Sequence, residues 1–492
     1  MKIPLRTMAF FAVLNPVLVV WSASCGGTGG LGGAAGGTGA GHGAGGAGTG
    51  GGAPSTGPFG SGIPSGGTGG QGQACVGLQC QIHACPGGGA TTVSGTIYDP
   101  AGKNPLYGIV AYVPNTNPLP FTPGATCTTC ADLYTGDPIA AAVTDAAGKF
   151  TIKNAPDGAN IPLVIQVGKW RRQFVIPGVA TCKDTAMADK MLTLPKNGSE
   201  GDLPNIAIST GSADTLECLL PRIGVDKAEY VSGPGGSGHV HIFRGDGTAP
   251  DTNPSAPDPS QKLWDSSADI TNYDILLLSC EGHETDNMNQ QVLFDYAAAG
   301  GRVFASHFHY AWFNTGPFGN ANLATWTAGS QHIGMSLNAT IVTTLPNNMP
   351  FVRGQALSQW LGNVNALTNG ELPIDAPRHN ADVSAMNTPS QPWIVADQNA
   401  QVPGATQDFT FDTPLDMAPE KQCGRVVFSD MHVGAASGDY QGGGGKTTPD
   451  GCANNDLSPQ EKALEFIFFD LSSCVTPNNI PMQPPTTGSG PQ

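Results

Sequence analysis

Three short polar groups in the second half of this 492-residue chain carry side chains able to do chemistry. They are Cys280-Glu281-Gly282-His283-Glu284, Ser306-His307-Phe308-His309-Tyr310 and Ser429-Asp430-Met431-His432. If the three converge, His307, His432, Cys280 and Glu281 are the candidates for catalysis. A thiol supplies a nucleophile, and imidazoles and carboxylates move protons. His283, His307, His309 and His432, with Glu281 or Asp430, are the candidates for a divalent metal, since imidazole plus carboxylate suits zinc or iron. The more ordinary reading of the same histidines is satisfied hydrogen bonds in a polar pocket. A divalent metal is therefore not the favoured reading, and no cofactor is named by these residues. Ser306 with His432 as a serine hydrolase lacks the glycines of a nucleophile elbow.

Each group follows an apolar run without alternation: 273–280 (YDILLLSC), 302–306 (RVFAS) and 423–429 (CGRVVFS). Such runs read as strands buried on both faces of a parallel sheet. Residues 289–299 read as a helix stopping at Gly300-Gly301. Ser458-Pro-Gln-Glu461 reads as a capping box with Pro at the first helical position, and Leu464, Ile467, Phe468 and Leu471 fall on one face. Upstream, 205–211 and 239–243 read as strands. Asp214 to Glu217 has capping-box spacing before Leu216, Leu219, Leu220 and Ile223, with Pro221 as a kink.

This alternation predicts an α/β fold over 203–474, a mostly parallel three-layer sheet of flavodoxin-like type. Ligands of such sheets bind beyond the carboxyl ends of the strands, where all three polar groups fall. The stretch 316–404, rich in Asn, Thr, Pro and Trp, reads as an inserted cap. With Trp312 just before it, the cap brings Trp326 and Trp360, whose flat faces suit a carbohydrate, although core packing explains single tryptophans as well.

Residues 91–200 have a different pattern. Short runs at 93–99, 107–113, 142–152 and 161–167, separated by Gly and Pro turns, predict a small all-β sandwich. The series Val93-Ser-Gly-Thr-Ile-Tyr-Asp99, Pro105, Thr144-Asp-Ala-Ala-Gly148-Lys-Phe150 and Pro156-Asp-Gly158 resembles the carboxypeptidase regulatory-like (transthyretin-like) domain. That resemblance implies an accessory module without chemistry. A Pro- and Cys-rich insert at 115–138 departs from it. Trp170-Arg171-Arg172 reads as a solvated strand end rather than a recognition patch.

In the second unit, YDILLLSCEG, DYAAAGGRVFASHFH, GRVVFSDMHV and LSPQEKALEF, taken in that order, resemble the class I glutamine amidotransferase-like fold, nearer its ThuA-like branch. Laid on that family's G-x-C-x-G elbow, His307 takes the nucleophile slot and His309 replaces the second glycine. His432 matches the family's catalytic histidine. The resemblance thus implies a ligand-binding or catalytically degenerate module in which thiol-based glutamine amidotransfer fails. The alternative it leaves open is an active ThuA-like carbohydrate-modifying or hydrolytic enzyme using a His307/His432 cleft.

The first 25 residues pair Lys2 and Arg6 with an apolar run, 8–21, and small residues before Cys25. That order reads as a secretory signal rather than a membrane span. Cys25 resembles a lipobox cysteine, with Ser22 where that pattern usually has Leu, so a lipid on Cys25 would be the membrane partner. The expected location is exported and membrane-anchored, at an outer membrane or cell surface, with simple secretion as the alternative. The Gly-rich stretch 26–74 cannot bury enough apolar surface to order itself, and as a coil it reaches roughly 40 Å. Residues 475–492 read as a disordered tail. A net charge of −16 excludes an electrostatic grip on nucleic acid, leaving a carbohydrate or cell-surface ligand as the expected partner.

Twelve cysteines suit an oxidising compartment. Cys127-Thr-Thr-Cys130 has redox spacing but no basic neighbours, and Cys75, Cys80 and Cys85 around His83, in a Cys-rich connector at 75–90, miss the spacing of a zinc knuckle. Structural disulfides are expected for both groups. Cys127 is expected to pair with Cys130 or Cys182, and Cys423 or Cys452 to be tied near Cys474. Cys280, at the end of a buried strand, is the expected free thiol.

Overall fold

Lys149-Phe-Thr-Ile-Lys153 alternates charged or polar with apolar residues, and only Phe150 and Ile152 are buried. This period of two is what a half-buried strand requires. The same logic builds the region as a whole: β1 (Thr92–Tyr98), β2 (Val110–Pro114), β3 (Pro138–Val143), β4 (Lys149–Lys153), β5 (Gly158–Val167), β6 (Trp170–Val179), β7 (Asp184–Ala186) and β8 (Leu192–Thr193). They form two four-stranded sheets, one ordered β3-β2-β5-β6 and the other centred on β1 with β4, β7 and β8. Val93, Ile97, Ala111, Val113, Phe150, Ile152, Leu163 and Ile165 share one core between them, so the region is a β-sandwich. The structure, a computed structural model, describes residues 75–245, 258–285, 288–434 and 449–487. The signal segment, Cys25 and the Gly-rich linker lie outside the described residues.

Twelve further strands follow: β9 (Ile206–Ser209), β10 (Tyr230–Ser232), β11 (Val240–Phe243), β12 (Ile275–Leu278), β13 (Arg302–Ser306), β14 (Thr325–Trp326), β15 (Ser336–Ile341), β16 (Leu372–Asp375), β17 (Ala381–Asp382), β18 (Ser390–Ala396), β19 (Thr406–Thr413) and β20 (Gly424–Ser429). Ten of them make one sheet, ordered β10-β11-β9-β12-β13-β20-β19-β18-β15-β16, while β14 and β17 pair apart. From β10 to β20 neighbours run parallel. From β20 to β16 they run antiparallel.

The expected mostly parallel, three-layer, flavodoxin-like fold is therefore corrected. The molecule is strand-rich, its large sheet is mixed, and the sandwich sheets add further antiparallel pairs. The reason lies in the 316–404 stretch, read as a cap. Its strands β15 and β18, with β19 just beyond, alternate or mix polar residues with apolar ones, as at Ser336-Leu-Asn-Ala-Thr-Ile341. They extend the sheet at its edge instead of covering it. Alternation of this kind marks a strand with one wetter face, which an antiparallel partner tolerates.

Two helices keep their expected chemistry. The Gln290–Ala298 helix is capped by Asn289, whose side chain accepts from Val292 N, and it gives way to Gly300 at φ +101°. The Pro459–Ser472 helix carries the full capping box: Ser458 Oγ accepts from Glu461 N and Glu461 Oε2 accepts from Ser458 N at 2.7 Å. Around Asp214 the capping box does not form. A 3-10 turn, Leu216–Cys218, runs into the short helix Leu219–Arg222, and Asp214 Oδ1 accepts from the next amide, Thr215 N.

The described residues belong to one compact unit. Trp170 of the sandwich is fully buried edge-on to Phe468 and Phe469 of the Pro459–Ser472 helix. Gly168, at the turn between β5 and β6, sits at φ +52°, and a Cβ there would lie 2.0 Å from Ser472 O, so only glycine closes that approach. In the same last turns of the helix, Arg353 Nη1 donates to both oxygens of Asp470 at 3.0 Å, and Arg425 Nη1 donates to Asp470 Oδ2 at 2.6 Å.

Ten cysteines form five disulfides: Cys75–Cys80, Cys85–Cys182, Cys127–Cys423, Cys130–Cys474 and Cys218–Cys452. Cys127 thus pairs across to Cys423 rather than with Cys130 or Cys182. Cys474 takes Cys130 rather than Cys423 or Cys452. The pairings bridge sequence separations of 296 and 344 because the 115–138 insert reaches away from the sandwich to the far ends of β20 and the last helix. Residues 475–487, expected as a disordered tail, pack instead: Met482 is buried and Asn478 O accepts from Val352 N. No helix among the described residues is long and apolar enough to cross a membrane.

Candidate functional site

β12, β13 and β20 stand side by side in matched register, with Leu278 beside Ala305 and Ser306 beside Ser429. Their carboxyl ends therefore coincide at one edge, and the chain leaves each strand with a polar residue in reach of the others. Cys280, His307 and His432 meet there, all buried, with one ligand-type atom from each lying within 4.8 Å of the other two. Cys280 Sγ is 3.2 Å from His307 Nδ1, and the two imidazole rings are 5.2 Å apart, edge to face. His307 Nε2 donates to Ser330 O at 3.1 Å. That bond places the ring proton on Nε2, so Nδ1 presents a lone pair to the sulfur and accepts from the thiol.

His307 adopts φ +44°, a left-handed conformation that costs a non-glycine residue free energy. The strand-to-turn transition needs it. β13 ends at Ser306, and the turn His307–Trp312 begins at once, so the chain must reverse within one residue.

Burial dominates the electrostatics. It pushes the Cys280 thiol up to about 12, partly offset by hydrogen bonds from the backbone at Phe308 and Gly282. Burial, with the nearby Arg378 guanidinium, holds His307 down to about 3. Burial first, then His307 and Arg378, hold His432 well below the usual imidazole range. At neutral pH the cluster is a thiol and two uncharged imidazoles, each with a nitrogen lone pair.

The other expected residues are placed elsewhere. His309 is buried but turned from the cluster: Nε2 donates to Ser279 O at 2.9 Å and Nδ1 accepts from the Thr285 hydroxyl at 3.2 Å. Both its nitrogens are used, which is the ordinary role of a core histidine. His283 is half-buried and does not join the three. Glu281 is fully buried and accepts from Ser209 Oγ at 3.4 Å, while its carbonyl accepts from Ser212 Oγ. Asp430 Oδ2 accepts from the backbone amides of Asn380 and Ala381 at 2.7 and 3.3 Å, with burial raising its carboxyl to about 7. Ser306 Oγ has two acceptors for its single proton, Asp214 Oδ2 and Leu278 O, each at 3.3 Å. Of the four histidines named for a metal, His307 and His432 lie together with Cys280, while His283 and His309 lie apart from them.

Core packing accounts for the three tryptophans considered as carbohydrate platforms. Trp312 and Trp360 are fully buried, and Trp326 packs among Phe313, Phe409 and Phe428. Arg171 is buried too, its Nε donating to Asp202 at 2.9 Å, so the Trp170-Arg171 pair is structural rather than a solvated strand end. Sequence reasoning missed Ser330 and Arg378, which orient and electrostatically bias the two imidazoles. Both lie in the stretch read as a cap, and no local motif marks a backbone carbonyl acceptor or a buried arginine.

No protein-family model matches the chain, and no curated protein matches it. Among solved structures, type II cohesin–X-dockerin complexes from Acetivibrio cellulolyticus, an N-terminal and a C-terminal interface mutant, are 19% and 20% identical to it. They cover 28% and 25% of this chain and 85% and 78% of theirs, with TM-scores of 0.17 and 0.15. A 9R-lipoxygenase from Cyanothece is 18% identical, covering 23% of this chain and 18% of its own, with a TM-score of 0.14. Likeness at these scores carries no argument about fold or activity, and the chemistry of this chain rests on its own residues.

Proposed function

We propose that this chain is an exported, lipid-tethered surface module that binds a ligand and does not perform thiol-dependent acyl transfer. The observation that supports export most strongly is the cysteine chemistry. Ten of the cysteines are paired in five disulfides that brace the fold across long sequence separations, and such bonds persist in oxidising compartments outside the cytosol. The signal-like segment and Cys25 add a tether to the same reading.

Against acyl transfer stands the left-handed turn residue after β13. It is His307, an imidazole where a nucleophilic thiol is needed, and the neighbouring thiol of Cys280 is fully buried and held protonated. A carbohydrate-modifying enzyme finds no support in the buried tryptophans.

Fractionation of the host decides the tether. The wild type is expected in the membrane fraction and Cys25→Ser in the soluble exported fraction. A wild type already soluble, or a chain whose cysteines are recovered reduced from the cytosol, would contradict the reading.

A further inference from the structure

We propose that Cys280, His307 and His432 bind one zinc or copper(I) ion, as a thiolate and two imidazole ligands delivered by three adjacent strand ends. This goes beyond the export reading and does not depend on it.

The ligand set is the first argument. A tetrahedral ion with a metal–sulfur bond of about 2.3 Å and metal–nitrogen bonds of about 2.0–2.1 Å sets its ligand atoms roughly 3.5 Å apart. One atom from each of these three side chains already lies within 4.8 Å of the others, and the Cys280 Sγ to His307 Nδ1 separation is 3.2 Å. Small side-chain rotations close the remaining difference. Thiolate with imidazole favours zinc and copper over calcium or magnesium, which prefer oxygen ligands.

The surroundings of the ligands are the second. His307 donates its other ring nitrogen to Ser330 O, the outer-shell bond that fixes the tautomer of a metal-ligating histidine. The backbone at Phe308 and Gly282 hydrogen-bonds to the sulfur, as suits a bound thiolate. Cys280 is the free cysteine among the described residues of a chain whose other described cysteines are all oxidised. Its sequestration beside two histidines, one of them held in a left-handed conformation, keeps it out of disulfide exchange and in reach of an ion.

Binding replaces a proton by an ion. The Cys280 S–H bond breaks, the sulfur–metal bond forms and the proton leaves to solvent, with no change of oxidation state. His307 and His432 contribute lone pairs, and His307 Nδ1 exchanges the hydrogen bond it accepts from the thiol for a bond to the ion.

The test uses the exported full chain, stripped with a chelator and titrated separately with zinc and with copper(I), metal content being measured per chain. One ion per chain of either metal is expected. Cys280→Ser retains a hydroxyl able to donate to His307, and it should weaken binding by more than about 100-fold, since even outer-shell losses cost 10–100-fold. His432→Gln should do the same, and His283→Ala should leave the stoichiometry at one. Cobalt loading of the wild type gives a second readout free of any folding defect in the variants: a thiolate-to-cobalt charge-transfer band is expected. Absence of metal and of that band in the folded wild type would overturn the proposal, as would an ion retained at full affinity by Cys280→Ser.

Discussion

Cys280 Sγ meets His307 Nδ1 at 3.2 Å across 27 residues of chain, which include the whole Gln290–Ala298 helix. Register produces the meeting. β12 and β13 lie parallel with Leu278 beside Ala305, so their two exits fall at the same height on the sheet. In the metal-free chain the buried thiol, raised to about 12, stays protonated at pH 8, and burial shields it from reagents with or without an ion. Native protein should resist alkylation by iodoacetamide at pH 8, with Cys280 labelled only after denaturation. Mass spectrometry showing rapid native labelling would refute its burial.

A second pH effect sits at the seam between the sandwich and the Pro459–Ser472 helix. Burial raises Asp99 from 3.8 to about 6 and Glu465 well above its ordinary value, the two carboxyls also repelling each other's charge. The native state therefore holds more protons than the unfolded one between about pH 4 and pH 6, so stability falls as pH rises through that window. Glu465→Gln keeps an acceptor for Asn104 Nδ2 and can donate to Asp99. It should stabilise the fold at pH 7 and change almost nothing at pH 4. Denaturant titrations at the two pH values read this directly, and an equal effect at both would contradict it.

Asp470 joins Arg353 and Arg425 in a buried ion cluster, with the chain's last helix carrying the carboxylate. Asp470→Ala leaves two buried guanidinium groups short of their counter-charge. Such a loss costs about 3–5 kcal/mol, and thermal unfolding should show it. A shift within 1 kcal/mol of wild type, an estimate typical of surface sites, would mean the cluster is solvated.

Cys130–Cys474 and Cys127–Cys423 clamp the 115–138 insert to the large sheet and its final helix. The double variant Cys130→Ser/Cys474→Ser should lose roughly 2–5 kcal/mol of stability. Non-reducing peptide mapping should recover Cys127 linked to Cys423. Recovery of a Cys127–Cys130 peptide would replace the clamp with a local loop.

The sequence made the strand ends legible and the pairings illegible. Apolar runs without alternation marked β12, β13 and β20, and the Ser458 capping box and the Gly300-Gly301 stop marked two helices, because those signals are local. The antiparallel half of the sheet was hidden: Asn, Thr and Pro in 316–404 blur the alternation of β15 and β18, and an edge strand resembles a loop in composition. Disulfide partners depend on where a loop travels, which spacing does not encode. Of the four histidines, His307 and His432 meet Cys280 while His309, two residues from His307, faces the opposite side and bonds Ser279 O and Thr285. The φ of +44° at His307 separates them, and no residue type announces it.

In the proposed metal site, three strand ends deliver one sulfur and two nitrogens to a single point. X-ray absorption at the zinc edge of the zinc-loaded full chain tests it most directly. One sulfur at about 2.3 Å and imidazole nitrogens at about 2.0–2.1 Å are expected, with the sulfur lost in Cys280→Ser. A spectrum of nitrogen and oxygen neighbours alone, unchanged by that substitution, would contradict it.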